Sequence, residues 1–93
     1  MNKDTLLAFI QRNLESGSDH KSGMALHQLL TILESQNADP SMIKLVQSTL
    51  EGIPEAKEAA RAEILTEEML RIALRRAEDR RRREEEAARQ GRC

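Results

Sequence analysis

The residues that could do chemistry are few and lie far apart along the chain. His20, His27 and Cys93 are the side chains of the types that most often act as bases, nucleophiles or metal ligands. His20 lies in a stretch rich in Gly and Ser, and His27 lies at the edge of an apolar helical stripe. Neither has a Cys, Asp or Glu at metal-ligand spacing. We therefore expect no metal, no cofactor and no enzyme activity.

Two acidic clusters, Glu67–Glu68 and Glu84–Glu86, are the remaining candidates for acid–base chemistry. A working carboxylate pair needs a pocket that sets the two groups in different environments. Both clusters instead lie in runs of strong helix formers, next to Arg and Ala. We interpret them as solvated helix faces.

Arginines are concentrated toward the C-terminus. Residues 71–93 carry 9 Arg and 5 Asp+Glu, a net charge of +4, whereas residues 1–70 carry 6 Lys+Arg and 11 Asp+Glu, a net charge of −5. This asymmetry favours self-association or an acidic partner for the basic end. The candidate contacts to nucleic acid or to an acidic partner are Arg71, Arg75, Arg76, Arg80, Arg82 and Arg83.

Nucleic-acid binding is nevertheless the less favoured use of these arginines. Glutamates alternate with them and repel phosphate, and the stretch has no aromatic side chain on which a base could stack. The four consecutive arginines from Arg80 to Arg83 point in different directions around a helix. A solvated helix held by its own Arg–Glu pairs is the favoured interpretation.

The elements that carry these residues are predicted to be helices. Apolar residues recur at the i, i+3, i+4 spacing of amphipathic helices. Asp39 and Pro40 form a helix restart, and Gly52 is placed to end a helix. The pattern predicts three short helices, at about 5–15, 23–36 and 40–51.

A long C-terminal helix, at about 54–90, follows. Between Pro54 and Gly91 the chain has no Gly or Pro, and Ala, Glu, Arg, Leu and Met fill most positions. We therefore predict the all-α fold class, with three short helices packed on one long helix whose end projects as a charged arm. The apolar seam stops near Ala77, which divides the chain into a helical bundle at 1–77 and an arm at 78–93.

The long helix is apolar on more than one side. Leu70 and Leu74 lie nearly opposite Leu65, and Ile64 falls on a third flank. A chain of 93 residues is too small to cover both sides of one rod, so we predict a protein interface formed by Ile64, Leu70 and Leu74. The sequence leaves one alternative open: a break near Thr66, a candidate N-cap, would let the chain bury both sides itself.

These features favour a small non-enzymatic interaction module, such as an adaptor, chaperone-like subunit or inhibitor. We expect it to act through the apolar surface of its long helix and to form a homo-oligomer, for example a coiled-coil homodimer whose seam ends near residue 77. The alternative is a nucleic-acid-binding regulator that uses the Arg-rich arm of a dimer. A helix-turn-helix reader is disfavoured because the third helix has one Lys and no Arg.

The sequence also indicates in which cellular compartment the protein is found. Its longest apolar run, residues 6–10, is far shorter than the ~20 residues that cross a bilayer. No secretory signal pattern is visible, and a single cysteine suits a reducing environment. We expect a cytoplasmic protein with no membrane partner.

Overall fold

The computed structural model describes residues 2–15 and 17–91, and the described chain is helical with no strand. The predicted all-α class, with a long C-terminal helix packed against shorter helices, is confirmed. Cys93 lies outside the described residues. The helices are α1 (Lys3–Leu14), α2 (Asp19–Ser35), α3 (Pro40–Glu51), α4 (Ile53–Ala60) and α5 (Glu67–Gln90).

Side-chain caps set where four of the helices begin. Asn2, Ser18, Asp39 and Thr66 each accept a hydrogen bond from a backbone N–H two or three residues further on. Ser18 therefore starts α2 four residues earlier than the sequence pattern suggested. Pro40 occupies the first turn of α3, where its missing N–H costs nothing.

The C-terminal helix begins later than predicted, because the chain breaks between Ala60 and Glu67. The single helix at about 54–90 is thus replaced by α4 and α5, and the alternative of a break near Thr66 is the one adopted. The physical reason is burial. The break lets α5 fold back along α4, so that Leu70 enters the core instead of facing solvent.

One side chain of α1, Gln11, holds the segment between α4 and α5. Its Nε2 donates to the carbonyl oxygen of Ala62 at 2.7 Å and also approaches those of Ala60 and Glu63, each at 3.3 Å. Its Oε1 accepts from the backbone N–H of Leu65 at 3.0 Å. A helix end leaves backbone groups without helical partners, and here a side chain from about 50 residues away satisfies them.

The core is aliphatic and lies between α1, α2 and α3, with α4 and α5 closing one side. Its two buried polar side chains bond within the fold: the Ser22 hydroxyl donates to the carbonyl of Asn13, and the Thr49 hydroxyl to that of Leu45. The fully buried large apolar side chains are Leu6, Ile10, Leu26, Leu33, Val46 and Leu70.

The close approach of α5 to the corner between α3 and α4 depends on small residues. A Cβ built on Gly52 would lie 2.6 Å from the Cβ of Ala77 and 3.3 Å from Cδ2 of Leu74. Ala56 and Ala60 of α4 are buried in the same layer. Gly52 is therefore required by close packing.

Just beyond this apolar contact, charged pairs join α5 to α3 and α4. The guanidinium of Arg80 makes two hydrogen bonds to the carboxylate of Glu55 on α4, at 2.6 and 3.2 Å. Arg81 lies 3.5 Å from Glu51 at the end of α3. From Arg82 to Gly91 every described residue is exposed, which makes this part of α5 a solvated extension of a molecule that measures 50 × 30 × 24 Å.

Candidate functional site

A groove of about 700 Å³ runs between α3 and α5. Its floor is apolar and consists of Leu45, Leu74 and Ala77. Polar and charged side chains form its walls. The wall residues are Ser41, Lys44, Ser48 and Glu51 from the α3 side and Arg71, Arg75, Glu78 and Arg81 from the α5 side.

Helical spacing explains why these residues share one groove. Ser41, Lys44 and Ser48 are three and four residues apart, which places them along one side of α3. Arg71, Leu74 and its neighbours on α5 follow the same spacing, and Thr66 sets their register by starting the helix. The two helices thus present two parallel rows of side chains.

The groove has an excess of positive charge. Its walls carry four cations, Lys44, Arg71, Arg75 and Arg81, and two anions, Glu51 and Glu78. Arg71 is 3.4 Å from Glu67, and Arg81 pairs with Glu51. Within the described part of the chain, Lys44 and Arg75 form no salt bridge. Two cations that form no salt bridge therefore line the same groove as the apolar floor.

The three predicted interface residues fall in three different environments. Leu70 is 0% exposed and lies in the core, so the expectation that it forms part of an outward apolar face is corrected. Leu74 is half-buried against the core and also lines the groove. Ile64 is 73% exposed in the segment between α4 and α5. The break in the helix is the cause, because it turns the Leu70 side of α5 inward.

Ile64 belongs to a second, smaller concavity of about 420 Å³. The other walls of this concavity come from the start of α1, including Lys3, Asp4 and Ala8, and from the start of α5. A salt bridge of 2.8 Å between Lys3 and Glu67 crosses one side of it. Hydrogen bonding to Lys3 lowers the pKa of Glu67 below its usual value.

The six predicted arginines divide into groove residues, paired residues and solvated residues. Arg71 and Arg75 line the groove, as described above. The hydrogen bonds from Arg80 lower the pKa of Glu55 and raise that of the guanidinium itself, so Arg80 is engaged in the fold. Arg82 pairs with Glu78 at 3.2 Å. Arg76 and Arg83 are exposed and form no ion pair with any described residue.

The α3 half of the groove was missed by sequence reasoning. Lys44, Ser41 and Ser48 carry no motif, and α3 was set aside because a single Lys is too little charge for reading nucleic acid. Their role depends on which helix packs beside α3. Only the fold-back of α5, a tertiary event, brings Lys44 into the same groove as Arg75.

Two other features, a metal-ligand cluster and a membrane-spanning helix, are not found in the described residues. No group of three or more His, Cys, Asp or Glu side chains stands close enough to hold a metal ion. None of the helices that the structure describes has the length and apolar character needed to cross a membrane.

Comparison of the chain with known protein families, with curated proteins and with solved structures finds no match. The geometry of the groove and the chemistry of its walls are therefore the features that bear on function.

Proposed function

We propose that the protein is a small non-enzymatic interaction module, an adaptor, chaperone-like subunit or inhibitor, and that its groove between α3 and α5 binds an acidic helical segment of a partner protein. The observation that supports this most is the pairing of an apolar floor, including Leu74, with the uncompensated cations Lys44 and Arg75. We also propose a cytoplasmic location, since a single cysteine suits a reducing compartment.

The chemistry of the groove defines the class of partner. An amphipathic helix would place apolar side chains on the floor, at the i, i+4 spacing by which helices fill grooves. Acidic side chains on its flanks would meet Lys44 and Arg75, which gives electrostatic complementarity and sets the orientation. A basic or a fully apolar helix would leave the cations without partners.

A synthetic peptide tests the proposal directly. The probe is a fluorescein-labelled amphipathic helix with Leu at i, i+4 positions and Glu beside them, and its anisotropy is measured against the full-length protein. We expect the double variant Lys44→Glu with Arg75→Glu to bind about tenfold more weakly, a loss of about 1.4 kcal/mol. The matched control is Arg83→Glu with Arg89→Glu, which changes the net charge equally on the arm.

Two outcomes would count against the groove. The first is equal weakening by the groove variant and the arm variant, because that would indicate a general charge effect. The second is equal binding of a peptide in which every Glu is replaced by Lys. Circular dichroism of each variant confirms that the helices are retained.

A second candidate function is nucleic-acid binding by the Arg-rich helix. It is supported by Arg76 and Arg83, which are exposed, form no ion pair with a described residue and lie two helical turns apart on one face of α5. Anisotropy with a labelled DNA duplex at two salt concentrations tests it. Binding through phosphates should weaken steeply with salt and should be lost in Arg76→Glu with Arg83→Glu.

A further inference from the structure

The segment that joins α4 to α5 has a sequence at odds with its conformation. Residues 61–66 read Arg-Ala-Glu-Ile-Leu-Thr and contain no Gly or Pro. Ala, Arg, Glu and Leu are strong helix formers. Among the described residues, positive φ angles occur at Gly17 and Asn37 and not in this segment. Thr66 caps α5 and so gives that helix a local start, but nothing in the local chemistry of residues 61–65 requires α4 to end.

The break is also held from outside the segment, by α1. Gln11 bonds to Ala62 and Leu65, as described above, and Leu65 is buried beneath them. The salt bridge from Lys3 to Glu67 adds a second attachment at the start of α5. If these contacts open, local propensity favours one continuous helix from Ile53 to Gln90, about 57 Å long at ~1.5 Å per residue.

A straightened helix cannot remain alone in water. It would carry Leu70, Ala73 and Ala77, all buried in the closed form, away from Gly52 and Ala56 of its own chain. Both surfaces would then be exposed. A second copy in the same state offers the same two surfaces in complementary form, and reciprocal packing would remake every contact of the closed form except those of the hinge.

We infer that two copies of this chain associate by exchanging α5, with residues 61–66 as the hinge. The inference rests on the proposed interaction role and deepens it, since the partner of the long helix is a second copy. In the dimer α4 of one chain packs against α5 of the other, and Arg80 bonds to the partner copy's glutamate at position 55. The groove between α3 and α5 then has one wall from each chain.

A charge-exchange experiment distinguishes this arrangement from any other dimer. Glu55→Arg alone places two arginines together, and Arg80→Glu alone places two glutamates together, in the closed monomer and in the exchanged homodimer. In a mixture of the two variants, only the exchanged heterodimer joins opposite charges at both contacts. The variants are unfolded together in urea, refolded and weighed by native mass spectrometry.

We expect the heterodimer to exceed either homodimer by about tenfold, against the twofold excess of random pairing. Random proportions, or monomers throughout, would overturn the inference. Either result leaves the peptide-binding test of the groove unaffected, because a closed monomer has the same groove.

Hinge variants provide a second measurement if the charge variants fold poorly. Glu63→Pro interrupts a continuous helix, and the Glu63 side chain is exposed in the closed form. It should remain monomeric, with Glu63→Ala as its control. Gln11→Ala removes the hydrogen bonds that hold the hinge in its closed conformation. It should raise the dimer fraction severalfold in sedimentation velocity. A Glu63→Pro protein that dimerises as strongly as the parent would contradict the exchange.

Discussion

Single residues decide how closely the helices of this protein can approach. Gly52 is the clearest case, because a Cβ there would overlap that of Ala77. We expect Gly52→Ala to lower the free energy of unfolding by about 1–3 kcal/mol, the usual cost of overpacking, as α5 moves outward. Urea denaturation followed by circular dichroism measures the change.

Gly23 provides the matched control, since it lies inside α2 and a Cβ there would meet Ile53 Cδ1 at an ordinary 3.5 Å. Replacing a glycine in a helix by alanine removes backbone freedom from the unfolded chain. Gly23→Ala should therefore raise stability by about 0.5–1 kcal/mol. Opposite signs for the two substitutions are the expected result, and a loss of stability in both would contradict the packing at Gly52.

The carboxylate of Glu55 makes stability depend on pH. Its hydrogen bonds from Arg80 lower its pKa below the ordinary value of 4.5. The unfolded chain therefore binds a proton at a higher pH than the folded one does, and the stabilisation is complete above pH 4.5 and disappears as the pH falls through the lower, folded pKa. Thermal melts between pH 3 and pH 7 should show this loss.

Glu55→Gln should already lack this stabilisation at pH 7, so its melting temperature should fall less steeply as the pH is lowered. Glu84→Gln is the control, because Glu84 bonds to the same Arg80 from an exposed position. Equal acid slopes in the parent and in Glu55→Gln would show that the Arg80 contact does not contribute to folding.

At the scale of elements, the helices and most of their ends follow from local sequence. Asp39 with Pro40 and the glycine at 52 mark the limits of α3 correctly, since caps and turn residues act within a few positions. The break at 61–66 was foreseen only as an alternative. The Thr66 cap is its local signal, whereas the contacts of Gln11 that hold it span about 50 residues, and no local pattern carries that part of the information.

The groove was predictable only in part, for the same reason. Helical periodicity places Arg71, Leu74 and Arg75 close together on α5. The fold-back of α5 decides which apolar stripe of that helix faces the core. Leu70 was therefore predicted to lie on an outward face, although it is buried. Lys44 enters the site only because α3 packs beside α5.

The orientation of α5 leads to a prediction for two apolar residues half a turn apart. Leu70 is 0% exposed, whereas Ile72 is 57% exposed. We expect Leu70→Ala to cost about 2–5 kcal/mol, as core truncations do, and Ile72→Ala to stay within about 0.5 kcal/mol. Chemical denaturation of both variants measures the two losses in unfolding free energy. A larger loss for Ile72→Ala than for Leu70→Ala would show that the Ile72 side of α5 faces the core.

At the scale of the whole molecule, the size of the chain leaves little stability in reserve. Small domains bury a modest share of their surface, and typical folding free energies are about 5–15 kcal/mol. The loss expected for Leu70→Ala is therefore a large part of the total. The uncovered surface of such a molecule is also large relative to its core, which is why association with a second copy would be effective.

The predicted division into a bundle at 1–77 and an arm at 78–93 can be tested by removing the part of the arm beyond Arg81. Residues 82–91 are exposed along their whole length, whereas Arg80 and Arg81 still contact Glu55 of α4 and Glu51 of α3. The arm is held by pairs such as Arg82 with Glu78, which contribute about 0.2–0.5 kcal/mol each. A chain ending at Arg81 should thus melt within a few degrees of the full protein while losing helical signal. A large fall in melting temperature would mean that the arm packs on the body of the same chain. An unchanged melting temperature together with weaker dimerisation would mean that the arm contacts the second copy.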